Sequence, residues 1–170
     1  MHIFETKRLF LDKLTLQDAP FIRELLNDPS WIRYIGDKNV RTLKAAKEYI
    51  KNGPQKSYAQ LGFGLYVVKL KRSGRAIGMC GLLQRDTLEH ADIGFAFLPK
   101  FTGKGYAFES SEAVLKHAHS ILGMKHILAI TSTNNLSSEK LLLRLGFKFS
   151  KLTRLTPAAE ELKLFEKSAG

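Results

Sequence analysis

The chain has 170 residues, 44% hydrophobic and 25% charged, with one cysteine and a formal net charge of +11. One cysteine excludes an internal disulfide, and no apolar run approaches ~20 residues, so a single cytoplasmic domain over residues 1–170 is expected, without a membrane span. The positive charge would speed the encounter with a polyanionic ligand or suit an acidic macromolecular partner, but the basic residues are dispersed and a solvated surface accounts for most of them.

Residues 8–14 read as a strand with Leu9 and Leu11 on one face, and Thr15 offers an N-cap to a helix whose buried stripe is Phe21, Ile22, Leu25 and Leu26. Asn27-Asp28-Pro29-Ser30 ends it, and Trp31, Tyr34 and Ile35 are expected in a loop or short turn. A second helix is predicted over 42–51 with Leu43, Ala46, Tyr49 and Ile50 inward. Residues 63–70 and 76–83 read as an antiparallel pair of strands turning at Arg72-Ser73-Gly74, and Cys80 reads as a small buried hydrophobe in the second of them.

The stretch Asp92 to Glu109 is the most informative. Ile93, Phe95 and Phe97 alternate with Asp92, Gly94 and Ala96, the period of a half-buried strand, and Pro99 stops it. Thr102-Gly103-Lys104-Gly105-Tyr106-Ala107 then leads into a helical period, with Ala107, Phe108, Ser111, Val114, Leu115, Ala118, Ile121 and Leu122 on one face and Gly123 as the stop. A glycine turn feeding a helix N-terminus can cradle an anion on free backbone N–H groups; alternatively, Gly103 and Gly105 only shape a tight turn. The spacing fits neither a P-loop nor a dinucleotide fingerprint. A buried strand over 127–131, a short helix opened by Asn135 and closed by Gly146-Phe147, and a pair of strands over 147–153 and 162–165 complete the chain. His117 and His119 diverge on their helix, and His90 and His126 lack ligand spacing, so no metal site is expected.

The glycine turn together with Asn135-x-x-Ser138 and Gly146-Phe147 resembles the GNAT superfamily of N-acetyltransferases. The opening Glu5-Thr6-Lys7-Arg8-Leu9-Phe10-Leu11, followed by Leu16-Gln17-Asp18-Ala19, is similar to the Rim-type branch, which acetylates ribosomal-protein N-termini. The resemblance implies an α/β fold: a mixed, mostly antiparallel sheet of about seven strands flanked by helices, its central parallel pair splayed to admit acetyl-CoA, with Gly94 as a bulge point. It implies transfer of an acetyl group from acetyl-CoA to an amine, a protein N-terminus or a small amine, by direct attack in a ternary complex. A non-catalytic CoA-binding or interaction module on the same fold is the alternative, and direct nucleic-acid binding is not expected. The chain is expected to be a monomer or homodimer.

Carried over residue by residue, the resemblance places the pyrophosphate on Thr102, Gly103, Lys104, Gly105, Tyr106 and Ala107. The pantetheine arm falls against Phe97 and Leu98, and a backbone N–H near Phe97 would polarise the thioester. Asn135 is either a pantetheine ligand or simply the N-cap of its helix. Asp92 stands where many relatives have Glu and is the candidate base, or else only a hydrogen-bonding residue at the strand entry. The family's usual thiol-protonating tyrosine falls on Leu142, leaving Ser138 as the substitute acid, or as a mere cap. Thr102 replaces the family's Gln or Arg, which removes a side-chain contact but not the backbone ones. Trp31 and Tyr34 either line the acceptor groove or belong to the core.

Overall fold

The computed structural model describes residues 2–169. Strand β1 (Phe4–Glu5) pairs antiparallel with β2 (Leu9–Lys13). A 3-10 turn over Leu16–Asp18, closed by the Thr15 amide on the Asp18 carboxylate at 2.9 Å, feeds α1 (Ala19–Leu26). Ala19, Ile22, Leu25 and Leu26 are its buried residues, and Phe21 is only half-buried.

Trp31 and Tyr34 lie on a helix, α2 (Pro29–Tyr34), where a loop or turn is expected. The reason is local. Asp-Pro ends one helix and is also a good start for the next, with Asp28 accepting the Ser30 amide at 2.8 Å as N-cap and Pro29 in the first turn. Helix α3 (Leu43–Ile50) buries Ala46 and Ile50, but Leu43 stays 41% exposed in the first turn. Periodicity sets which way a side chain points, not how far the neighbouring element extends. Beyond Ile50 the helix continues through a π turn, Lys51–Gln55, which accommodates Pro54 by widening, into α4 (Lys56–Leu61).

Strands β3 (Leu65–Leu70), β4 (Ala76–Leu83) and β5 (Asp92–Phe97) extend the sheet antiparallel. Helix α5 (Tyr106–Ser120) follows, packs across β2, β4 and β5, and buries Ser110, Ser111, Val114, Leu115 and Ala118. Ile121, expected on its inner face, is 72% exposed because the helix has ended by then and its period no longer applies. Strand β6 (His126–Ser132), helix α6 (Leu136–Arg144) and strands β7 (Lys148–Thr153) and β8 (Leu162–Ser168) complete the chain. The eight strands form one sheet in the order β1-β2-β3-β4-β5-β6-β8-β7, one strand more than expected, with β5 and β6 parallel.

That parallel pair barely touches. Its register is a single pair, Asp92 with Leu128, held by the Leu128 amide on the Ala91 carbonyl at 2.9 Å. Past this point β5 stays paired with β4 and β6 with β8, so the sheet splits between them. Gly94 is not a bulge: the β4–β5 register runs unbroken through Gly81 and Gly94. A Cβ at Gly94 would meet Leu65 Cδ2 and Leu83 Cδ1, both at 3.4 Å, close to ordinary contact, so neither a bulge nor a tight approach requires the glycine.

Candidate active site between the splayed strands

Backbone alternation decides which groups face the split. The Leu98 N–H donates to the Ile77 carbonyl at 3.0 Å, so Leu98 points its backbone at β4. In an antiparallel ladder adjacent residues point their N–H and C=O groups in opposite directions, so Phe95 and Phe97 aim theirs away from β4, into the gap. On the far side the Leu128 amide faces β5, and by the same alternation Ile130 and Ser132 present their backbone groups to the gap. The result is a slot lined by unpaired amide groups on both walls, suited to an extended arm that carries amides of its own. Of the two residues expected to hold such an arm, Phe97 offers its N–H and Leu98 has already spent its own.

Phe95 and Cys80 are cross-strand partners, and Cys80 Sγ lies 3.6 Å from Ser111 Oγ of α5, so Ile93, Phe95 and Phe97 turn their side chains toward that helix. Cys80 is fully buried, and burial pushes its thiol up to about 11, as suits a packing residue.

The glycine turn stands at the open end of the slot. Gly103 has φ +72° and Gly105, the N-cap of α5, has φ +85°, a region that side-chain-bearing residues rarely adopt. The first α5 bond runs from the Glu109 amide to the Gly105 carbonyl at 3.0 Å, so the amides of Tyr106, Ala107 and Phe108 lack intrahelical partners. Thr102 uses its hydroxyl on the Pro99 carbonyl at 2.7 Å, Lys104 is exposed, and Tyr106 and Ala107 are half-buried.

The cation at this turn comes from elsewhere in the chain. Arg8, in the turn between β1 and β2, donates through Nε to Glu109 Oε1 at 2.7 Å and through Nη1 to the Lys104 carbonyl at 3.1 Å, and its guanidinium carbon lies over the Tyr106 ring, 4.4 Å from the centroid. Glu109 also accepts from the Arg8 amide at 2.9 Å and the Thr6 hydroxyl at 2.5 Å. Burial raises the Glu109 pKa, but the bonds from Thr6 and Arg8 outweigh it and leave the carboxyl below its ordinary value. Sequence reasoning does not single out Arg8 and Glu109 as working residues; the one local signal is an acid in the first turn of the helix.

At the closed end sits Asp92, fully buried, with Arg85 Nε 3.2 Å from Oδ1 and 3.4 Å from Oδ2. Burial pushes its carboxyl up to about 6, against the pull of the Arg85 guanidinium. Tyr49 of α3 shares this region: burial pushes its phenol up to about 12, with the Arg85 charge acting in the opposite direction. As strand partners, Asp92 and Leu128 project from the same face of the sheet, and Leu128 lines a cavity of about 440 Å3 with Glu89, His90, His126, Leu164 and Glu166. Arg85 carries no signal in the sequence, since only the pairing of Leu83 with Asp92 brings it back to the carboxylate.

The last helix shows a plain cap. Asn135 Oδ1 accepts the Ser138 amide at 3.3 Å, which leaves the Ser138 hydroxyl uncommitted. Leu142 is fully buried in the core. Trp31 is buried in the same core, whereas Tyr34 stays half-exposed beneath the Arg33 guanidinium at 5.0 Å. Thr131 Oγ1 and Ser132 Oγ, beside the slot on β6, are buried without a hydrogen-bond partner, a feature no motif announces.

An amide-lined slot, unpaired helix N-terminal amides at its mouth and a buried carboxylate at its closed end are thus brought together on one fold. A family model described as the acetyltransferase (GNAT) domain matches residues 8–148, and the chain belongs to this family. The uncharacterised N-acetyltransferase YoaA of Bacillus subtilis is 30% identical over 148 residues, covering 86% of this chain and 82% of its own. Among solved structures, the alpha-N-protein acetyltransferase RimL bound to coenzyme A superposes with a TM-score of 0.84 at 13% identity, covering 99% of this chain and 98% of its own. The microcin self-immunity acetyltransferase MccE, solved with acetyl-CoA and AMP, gives a TM-score of 0.82 at 16% identity, covering 96% and 94%. At these identities the structures establish the shared fold.

Proposed function

We propose that this acetyltransferase moves the acetyl group of acetyl-CoA onto a protein N-terminal amine. The observation that carries this reading is the single-pair junction of β5 and β6, which leaves the backbone of Phe95 and Phe97 unpaired just before the glycine turn. The pyrophosphate would rest on residues 102–107, and the pantetheine amides would pair with the slot walls. The Phe97 N–H would polarise the thioester carbonyl. The amine attacks the carbonyl carbon, the C–N bond forms as the C–S bond breaks, and the thiolate is protonated by solvent relayed through the Ser138 hydroxyl, which regains its own proton in the same step. Asp92 receives the amine's proton, directly or through a water.

The acceptor follows from proton affinity. An α-amine ordinarily titrates near pH ~8 and a lysine side chain near ~10.4, so a carboxylate base near 6 deprotonates the former with less mismatch. Glu89 and Glu166 outnumber Lys151 among the charged residues lining the adjoining cavity, a balance compatible with an amine acceptor. RimL, by its name an alpha-N-protein acetyltransferase of a ribosomal protein, supports the same direction.

The test has two stages. Saturating CoA or acetyl-CoA should raise the melting temperature by several degrees, since a ligand at ~100 times its Kd adds about 2.7 kcal/mol. Thiol release should then appear with peptides bearing a free N-terminus and vanish when that amine is blocked and only lysine remains. No thermal shift would overturn the cofactor assignment; release with lysine or small amines alone would overturn the acceptor.

A further inference from the structure

We infer that Arg8 is a positioning residue for the cofactor's pyrophosphate, acting from behind the glycine turn through the Lys104–Gly105 peptide while Glu109 and Thr6 hold it in place. The inference rests on the acetyl-CoA reading above. In a trans peptide the carbonyl of one residue and the N–H of the next point in opposite directions. The Lys104 carbonyl is taken by Arg8 Nη1 at 3.1 Å, so the Gly105 N–H is turned away from Arg8 and outward, alongside the free amides of the α5 N-terminus. Arg8 is held at three points: Nε is bonded to Glu109 at 2.7 Å, its own amide to the same carboxylate at 2.9 Å, and its guanidinium carbon lies 4.4 Å from the Tyr106 ring centroid. Thr6 closes the set by donating to Glu109 Oε2 and accepting the Leu9 amide at 3.1 Å.

The fit explains the glycine as well. A Cβ on Gly105 would stand 3.2 Å from Arg8 Nη2, so a side chain there would press on the guanidinium that orients the turn. The arrangement joins residues about a hundred positions apart: the N-terminal hairpin is fastened to the phosphate turn by one carboxylate. Thr102 spends its hydroxyl on the Pro99 carbonyl, and the side-chain contact to the Lys104 carbonyl comes from Arg8 in the turn between β1 and β2.

Calorimetric titration with CoA and with pantetheine, which has the same arm without phosphates, tests this on wild type, R8Q, E109Q and T6V. R8Q should weaken CoA about tenfold or more, the scale of one hydrogen bond to a charged group, and leave pantetheine unchanged. E109Q removes a negative charge from the phosphate site, yet it should also weaken CoA, because it releases Arg8. T6V, a milder change that keeps the ion pair, should show a smaller loss in the same pattern and keeps the question open to test if R8Q does not fold. Unchanged CoA affinity in folded R8Q, an equal loss for CoA and pantetheine, or tighter CoA binding by E109Q would each overturn the proposal. A wild type that binds neither ligand would instead overturn the acetyl-CoA reading itself.

Discussion

Asp92 is governed by two opposed effects: loss of water, which favours the neutral acid, and the Arg85 guanidinium 3.2 Å away, which favours the anion. Burial prevails, and the carboxyl titrates near 6 rather than near its ordinary value of 3.8. As a base it works only when ionised, so turnover should rise with pH through about 6 and level off above it. Asp92→Asn should lower turnover by roughly 10²–10⁴-fold, the usual range for a lost general base, and flatten that rise. Rate against pH for both proteins, with CoA affinity measured alongside, checks this; a rise that survives in the variant would remove Asp92 from the role. The strand period makes Asp92 legible as an acid on the side opposite Phe95. Its shifted pKa is not legible, because burial and Arg85 both arise from how β4 and β5 pair.

Helix α6 shows the same division at the level of an element. Its limits can be read from Asn135 and Gly146, since an N-cap acceptor and a residue at φ +96° are local requirements. What the helix does for the cofactor is not local. The Asn135 side chain is engaged with the Ser138 amide, so Asn135→Ala should cost about 1 kcal/mol and lower the melting temperature by roughly 2–4 °C. CoA affinity should stay within twofold, roughly 0.4 kcal/mol, if the cap is the whole role; a tenfold loss at an unchanged melting temperature would make Asn135 a ligand. Elements with ambiguous signals escape the sequence for definite reasons. Asp28-Pro29 both ends α1 and starts α2, Pro54 sits inside a helix because a π turn makes room for it, and β1 is only two residues held by its partner. Likewise Leu142 lies four residues after Ser138, at the place of the family's tyrosine, but it is core, and that follows only from the packing.

At the scale of the molecule, β1–β5 and β6–β8 meet at the one pair Asp92 and Leu128, and this is what opens the slot. The charge of Asp92 therefore acts on the seam of the sheet, and global stability should register it. The folded carboxyl titrates near 6 and the unfolded one near ~3.9, so between these values the native state binds more protons. Stability from this group is then present below about 4 and is lost as pH rises through about 6, by roughly 1.4 kcal/mol per pH unit inside that window. Carboxyls with depressed values, such as Glu109, behave oppositely: their contribution is present above the ordinary carboxylate range and falls away as pH drops through their folded pKa. Comparing wild type with Asp92→Asn cancels such groups. The melting temperature of wild type relative to the variant should therefore increase as pH is lowered from ~7.5 to about 5, by roughly 2–4 °C for each kcal/mol recovered. A difference that stays constant across this range would mean that Asp92 ionises in the folded protein as readily as in the unfolded chain, and its raised titration at the seam would be refuted.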